Sequence, residues 1–142
     1  MTKIRVLFLC IHNSARSQMA EAYLKHFGGE KFIVESAGLE SGNLNPFAVD
    51  VMLEDGINIS ANQTKNVDEF LRAGKKYDYV ITVCDEASAA KCPVFPGRHN
   101  KLNWNFPDPS ALTGTHTEKL VSTRAIRDKI KEAVMKLAVE LT

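Results

Sequence analysis

Cys10 and Arg16 stand six positions apart in "CIHNSARS", after the apolar run "IRVLFL" and before the helical pattern "QMAEAYLKHF". A strand that turns directly into a helix leaves several backbone N–H groups unpaired and aimed at one point, and the helix dipole adds partial positive charge there. An anion belongs in such a cradle, here built from Ile11, His12, Asn13, Ser14 and Ala15 and closed by Arg16. The same field favours the thiolate of Cys10 and makes its sulfur a nucleophile. Arg16 offers a planar fork of donors that matches two oxygens of a tetrahedral oxyanion. Ser14 and Ala15 are small enough for backbone to close around the ion, and Asn13 accepts a positive φ in a tight loop. Ser17 can give its hydroxyl proton to the thiolate. The competing reading, an inert buried cysteine beside a surface arginine, fits poorly with a strand before the motif, a serine after it and a helix that it opens.

The elements that must position this loop alternate between strand and helix, which predicts an α/β fold: an open four-stranded parallel sheet with helices on both faces. Lys3 to Cys10 reads as a central strand, Lys31 to Gly38 as the second, Tyr77 to Cys84 as the third, and "KLNWNF" (101–106) as a short fourth. Met19, Tyr23, Leu24 and Phe27 share one helix face, stopped by Gly28 and Gly29. Pro46 opens another helix with Val49, Met52 and Leu53 inward, closed by Gly56. "VDEFLRAG" forms a short amphipathic stretch, and 85–91 has room for one or two helical turns. Thr115 and Glu118 make a capping box for a final helix carrying Leu120, Ile126, Ile130, Val134, Leu137 and Leu141 at helical intervals. Cys84 ends the third strand as Cys10 ends the first. If those strands are neighbours, a spacing of about 4.8 Å brings the two thiols close to disulfide reach.

The 142 residues, 44% hydrophobic and 25% charged, suit one domain spanning 1–142, without repeat, low-complexity tract or linker. Eighteen basic and seventeen acidic residues leave a formal net charge of +1 with no basic block, so neither nucleic acid nor an anionic membrane is an expected partner. The apolar start is too short for a bilayer span and lacks a small-residue cleavage site. Three cysteines are an odd number for a disulfide-stapled secreted domain, so a reducing cytoplasm is expected and any disulfide is working chemistry. A monomer is expected.

"VLFLCIHNSARSQMAEAYL" resembles the oxyanion loop shared by low-molecular-weight protein tyrosine phosphatases and thioredoxin-coupled arsenate reductases, and the likeness continues through "SAG" at 36–38, "NP" at 45–46 and "DP" at 108–109. The resemblance implies that Asp108 is the general acid for a departing oxygen. It further implies a relay. Cys10 attacks arsenate; Cys84 attacks Cys10, releasing arsenite; Cys92 attacks Cys84 and carries the disulfide outward to thioredoxin. Catalytic residues are then Cys10, Arg16, Ser17, Cys84, Cys92 and Asp108, and phosphate or sulfate suits the same loop as arsenate. "DEASAAK", with small side chains and no large apolar anchor, suits the partial unfolding such a relay needs.

A phosphatase is the alternative within the resemblance. Against it, "SALTGTH" after Asp108 lacks the aromatic side chains that grip a phosphotyrosine ring, and the three tyrosines lie at 23, 77 and 79. Some relatives hold a monovalent cation beside the loop; Asn13, Glu21 and Ser36 match its ligands, with Asn66 in the fourth place. No tightly bound cofactor is otherwise implied. His12 stands where glycine is common, so its backbone binds while its imidazole faces solvent. His26, His99 and His116 show no ligand spacing and read as surface residues. A structural zinc site from Cys10, Cys84, Cys92 and a histidine is a third reading, weakened by the lack of compact metal-finger spacing.

Overall fold

The structure, a computed structural model, describes residues 2–40 and 42–141. Four strands, β1 (Ile4–Cys10), β2 (Phe32–Gly38), β3 (Tyr79–Thr82) and β4 (Asn100–Asn103), form one parallel sheet in the order β2-β1-β3-β4. Helices α1 (Arg16–Gly28), α2 (Pro46–Glu54), α3 (Val67–Arg72), α4 (Glu86–Ala89) and α5 (His116–Glu140) connect and cover it. The fold class is as expected.

Period-two alternation along β1 divides the core in two. Val6, Phe8 and Cys10 join Met19, Tyr23 and Leu24 of α1, Val51 and Met52 of α2, and Ile126, Ile130 and Val134 of α5. Leu7 and Leu9 point the other way, into a smaller cluster with Val67 and Phe70 of α3, Tyr77, Phe95 and Cys92. A buried Arg127 on α5 donates to the Val51 carbonyl at 2.8 Å and to Glu54 at 2.9 Å, which ties α2 to α5.

Several boundaries and faces differ from expectation. The third strand is shorter, since its regular pairing ends with Leu9 opposite Thr82, and Cys84 lies two residues past it. The fourth covers Asn100–Asn103 only: it is an exposed edge, and the chain leaves it at Trp104 for the Asp108 loop. The fully buried face of α2 is Ala48, Val51 and Met52; Val49 packs half-buried against the same core, as expected, while Leu53 is 57% exposed. Phe27 is 38% exposed because it leaves the core to stack on Tyr23 and meet His26 edge-on. Leu120 and Leu141 are half-buried, as is His99. The Thr115–Glu118 capping box of α5 is present in full.

Candidate active site

The loop between β1 and α1 is held by its carbonyls. Those of Cys10, Ile11 and Ser14 accept hydrogen bonds from Leu39, Glu40 and Asn45 N–H groups at 3.1, 2.9 and 2.9 Å. In a planar trans peptide the N–H points opposite to the C=O, so tying these carbonyls outward turns the N–H groups of Ile11, His12 and Ala15 into the loop. No side chain caps the first turn of α1, whose N-terminal N–H groups face the same hollow. Gly38 leaves room for this arrangement, because a Cβ there would sit 2.7 Å from Asn13 N and 2.8 Å from Ile11 O.

Asn13 is the residue on which the loop turns. Its φ of 55° lies in the left-handed region, as its type allows, and its buried side chain makes four hydrogen bonds. Oδ1 accepts from Gln18 Nε2 at 2.9 Å and Lys65 N at 3.0 Å, while Nδ2 donates to Ser17 Oγ at 2.7 Å and Ser36 Oγ at 2.9 Å. The ionised Glu21 carboxylate can only accept, so Ser36 gives its proton to Glu21. Asn13 then supplies both serines, and the Ser17 proton is left for Cys10 Sγ, 2.8 Å away. The Asn13 N–H also points at that sulfur, at 3.1 Å.

Arg16 is 5% exposed; its Nη1 donates to the Phe106 carbonyl at 3.1 Å and its Nη2 lies 3.6 Å from Asp108 Oδ2. Asp108, half-buried, accepts from Ser110 N at 2.9 Å, so the aspartate and the loop arginine face one space. His12 is half-buried, and its imidazole, 43% exposed, meets Glu40 at 3.2 Å instead of standing free in solvent.

All three cysteines are free and buried. Val83 N–H donates to the Leu9 carbonyl at 2.8 Å, which carries the β1–β3 pairing to the threshold of Cys84. Burial pushes the Cys84 thiol up to about 11, with the charges of Cys92 and Cys10 adding and Arg16 opposing. Burial likewise raises Cys92, against the pull of Lys101. The segment between them is lightly built: α4 is one turn capped by Asp85, with Ala89 its sole buried residue. Cys92 and Phe95, however, anchor its far end in the smaller core cluster.

Asn13, Glu21 and Ser36 are brought together, but they do not fit a monovalent cation. Lys25 and Lys65 already place ammonium groups on Glu21, at 2.5 and 3.2 Å. Burial raises the Glu21 carboxyl, yet hydrogen bonds from Lys25 and Ser36 and the Lys65 charge outweigh it and hold the group below its ordinary value. Asn66 is not the fourth ligand: its side chain caps α3, and the neighbouring Lys65 reaches in instead. Among the described residues no three of His, Cys, Asp and Glu are grouped as metal ligands, and Cys10 and Cys92 belong to different core clusters. Gln18, Lys65 and Asn45 are parts of the site that sequence reasoning did not single out; only the helix-opening Asn-Pro pair at 45–46 marked one of them.

A model of the low molecular weight phosphotyrosine protein phosphatases matches residues 5–142. An arsenate reductase of Halalkalibacterium halodurans is 40% identical over 138 residues, 97% of each chain. A solved structure of an arsenate reductase in an oxidised state superposes with a TM-score of 0.81 at 32% identity, covering 97% of this chain and 98% of the other. A thioredoxin-dependent arsenate reductase of Corynebacterium glutamicum matches with a TM-score of 0.63 at 30% identity, over 93% of this chain and 62% of its own.

Proposed function

This chain belongs to the low molecular weight phosphotyrosine protein phosphatase family, and from that membership we propose that it is an enzyme reducing arsenate to arsenite with electrons from thioredoxin. The observation that carries the reading is a second buried thiol, Cys84, two residues beyond the end of β3, the strand that pairs with β1, which itself ends at Cys10. Hydrolysis of a phosphoester has no use for it.

Cys10 Sγ attacks arsenic while Asp108 protonates a departing oxygen, leaving a sulfur–arsenic(V) bond; Arg16 and the loop N–H groups hold the remaining oxygens. Cys84 attacks Cys10 Sγ, a sulfur–sulfur bond forms, and the sulfur–arsenic electron pair stays on arsenic, which departs as arsenite. Two thiols have been oxidised and arsenic reduced by two electrons. Cys92 then attacks Cys84, Cys10 is freed, and the Cys84–Cys92 disulfide passes to the thioredoxin dithiol. The proton order from Glu21 through Ser36, Asn13 and Ser17 keeps a donor on the Cys10 sulfur, and Lys65 supplies there the positive charge that a bound cation would bring.

The test is Cys84→Ser, assayed by arsenate-dependent NADPH oxidation coupled through thioredoxin and its reductase. The variant loses turnover, and mass spectrometry of wild-type protein oxidised by arsenate finds Cys84 joined to Cys92. Full turnover in Cys84→Ser refutes the relay. Phosphomonoester hydrolysis untouched by that substitution, with no reaction on arsenate, assigns a phosphatase instead.

A further inference from the structure

Asn45 joins three parts of the molecule, and we propose that it is a positioning residue for the acid: it holds the Asp108 loop against the oxyanion loop. The inference rests on the reading of Asp108 as proton donor given above. Asn45 is 7% exposed, and its own N–H donates to the Ser14 carbonyl in the oxyanion loop at 2.9 Å. Its Oδ1 caps α2, accepting from Phe47 N at 2.8 Å and Ala48 N at 3.2 Å. Because Oδ1 is committed to the helix, Nδ2 is turned outward, where it donates to Ser110 Oγ at 2.9 Å. The Ser110 N–H in turn donates to Asp108 Oδ1 at 2.9 Å. One residue therefore links the cradle, through its backbone N–H, with the helix and the acid loop, through its side-chain amide.

Arg16 also touches the acid loop, through the Phe106 carbonyl and Asp108. That hold is conditional. A tetrahedral oxyanion in the cradle competes for the same guanidinium donors, and a charge-assisted pair with the ion outranks a bond to a neutral carbonyl. The Asn45–Ser110 link does not have to be shared with the ion, and it adds a directed hydrogen bond to the packing of Pro109 and Leu112 against the core.

The experiment follows single-turnover thiol loss when reduced protein is mixed with saturating arsenate, in Asn45→Ser, Ser110→Ala and the double variant. Serine is as good a helix N-cap as asparagine, so Asn45→Ser removes Nδ2 and keeps α2; Ser110 is exposed, so Ser110→Ala is a second route to the same missing bond. Each single variant slows about tenfold, the worth of one such hydrogen bond. The arsenate concentration for half-maximal rate stays within twofold, iodoacetamide alkylates Cys10 at the wild-type rate, and the double variant is no slower than either single one. Rates within twofold of wild type, additive losses in the double variant, or a parallel change in alkylation overturn the proposal. If wild-type protein loses no thiols to arsenate, the functional reading fails separately, and the link is read on phosphate esters. There the variants lose more on phenyl phosphate, whose leaving group needs the proton, than on p-nitrophenyl phosphate, and equal losses, or no hydrolysis by the wild-type protein, overturn it.

Discussion

Replacing Gly38 by alanine tests how the oxyanion loop is shaped. The added Cβ would stand 2.7 Å from Asn13 N and His12 C and 2.8 Å from Ile11 O, about 0.7 Å inside the 3.4 Å at which ordinary contact begins. All three neighbours are backbone, so no side-chain rotation relieves the overlap. Gly38 itself cannot retreat: its N–H donates to the Lys65 carbonyl at 2.8 Å and it pairs with Cys10 across β1–β2. The loop must shift instead. Overpacking of this kind costs about 1–3 kcal/mol, or about 4 °C of Tm per kcal/mol in a domain of this size. A displacement approaching 1 Å at reacting atoms costs up to about a hundredfold in rate. Gly38→Ala is therefore expected to lose between about tenfold and a hundredfold in kcat/KM for arsenate in the thioredoxin-coupled assay. Gly29→Ala is the control: its φ of 58° and ψ of −136° strain the backbone, but nothing lies within 4 Å of the new methyl, so it loses about 1–3 kcal/mol of stability and no activity. If Gly38→Ala keeps turnover within threefold of wild type while its stability falls, the end of β2 is not what shapes the loop.

Lys65→Met removes one of two ammonium groups from a buried carboxylate and is expected to cost about 1.5–3 kcal/mol in urea denaturation at neutral pH. Because the Glu21 carboxyl is held below its ordinary value, its stabilisation is present at neutral pH and lost as pH falls; in the variant that loss begins at a higher pH, and added potassium chloride restores turnover that wild-type protein already has. Cys84, raised from an ordinary 9.0 to about 11, is almost wholly protonated at neutral pH, so formation of the Cys10–Cys84 bond, followed by rapid acid quench, is expected to accelerate about tenfold per pH unit between roughly 7 and 10. The same raised value stabilises the reduced fold fully below pH 9, and that contribution is lost as pH rises through about 11; Cys84→Ser flattens the alkaline decline in Tm.

The features legible in the sequence are those fixed by near neighbours along the chain. The continuous apolar run of β1, the small residues and asparagine of the loop, the serine next to Arg16 and the capping box of α5 each follow from local chemistry, and each is where it was expected. Errors of a single residue arose where two phases satisfy the same rule. Val49, Met52 and Leu53 have the same spacing as Ala48, Val51 and Met52, and only packing against α5 and the sheet selects the second set for full burial. Lys65 and Asn66 are adjacent, and both end beside Gly38; the asparagine was spent on capping α3, which left the lysine facing Glu21. Partners separated by more than forty residues, such as Lys65 with Glu21 or Asn45 with Ser110, leave no periodic trace at all.

Alternation along β1 sends the Cys10 sulfur toward α1 and leaves Cys92 behind the sheet among Leu7, Leu9 and Phe95. In the proposed relay the sheet acts as a partition, and Cys84, just beyond its carboxyl rim, is the point at which oxidising equivalents turn the corner. With the first and last thiols of that relay on opposite faces, a large excess of arsenate is expected to leave the re-reduction of the protein unimpeded.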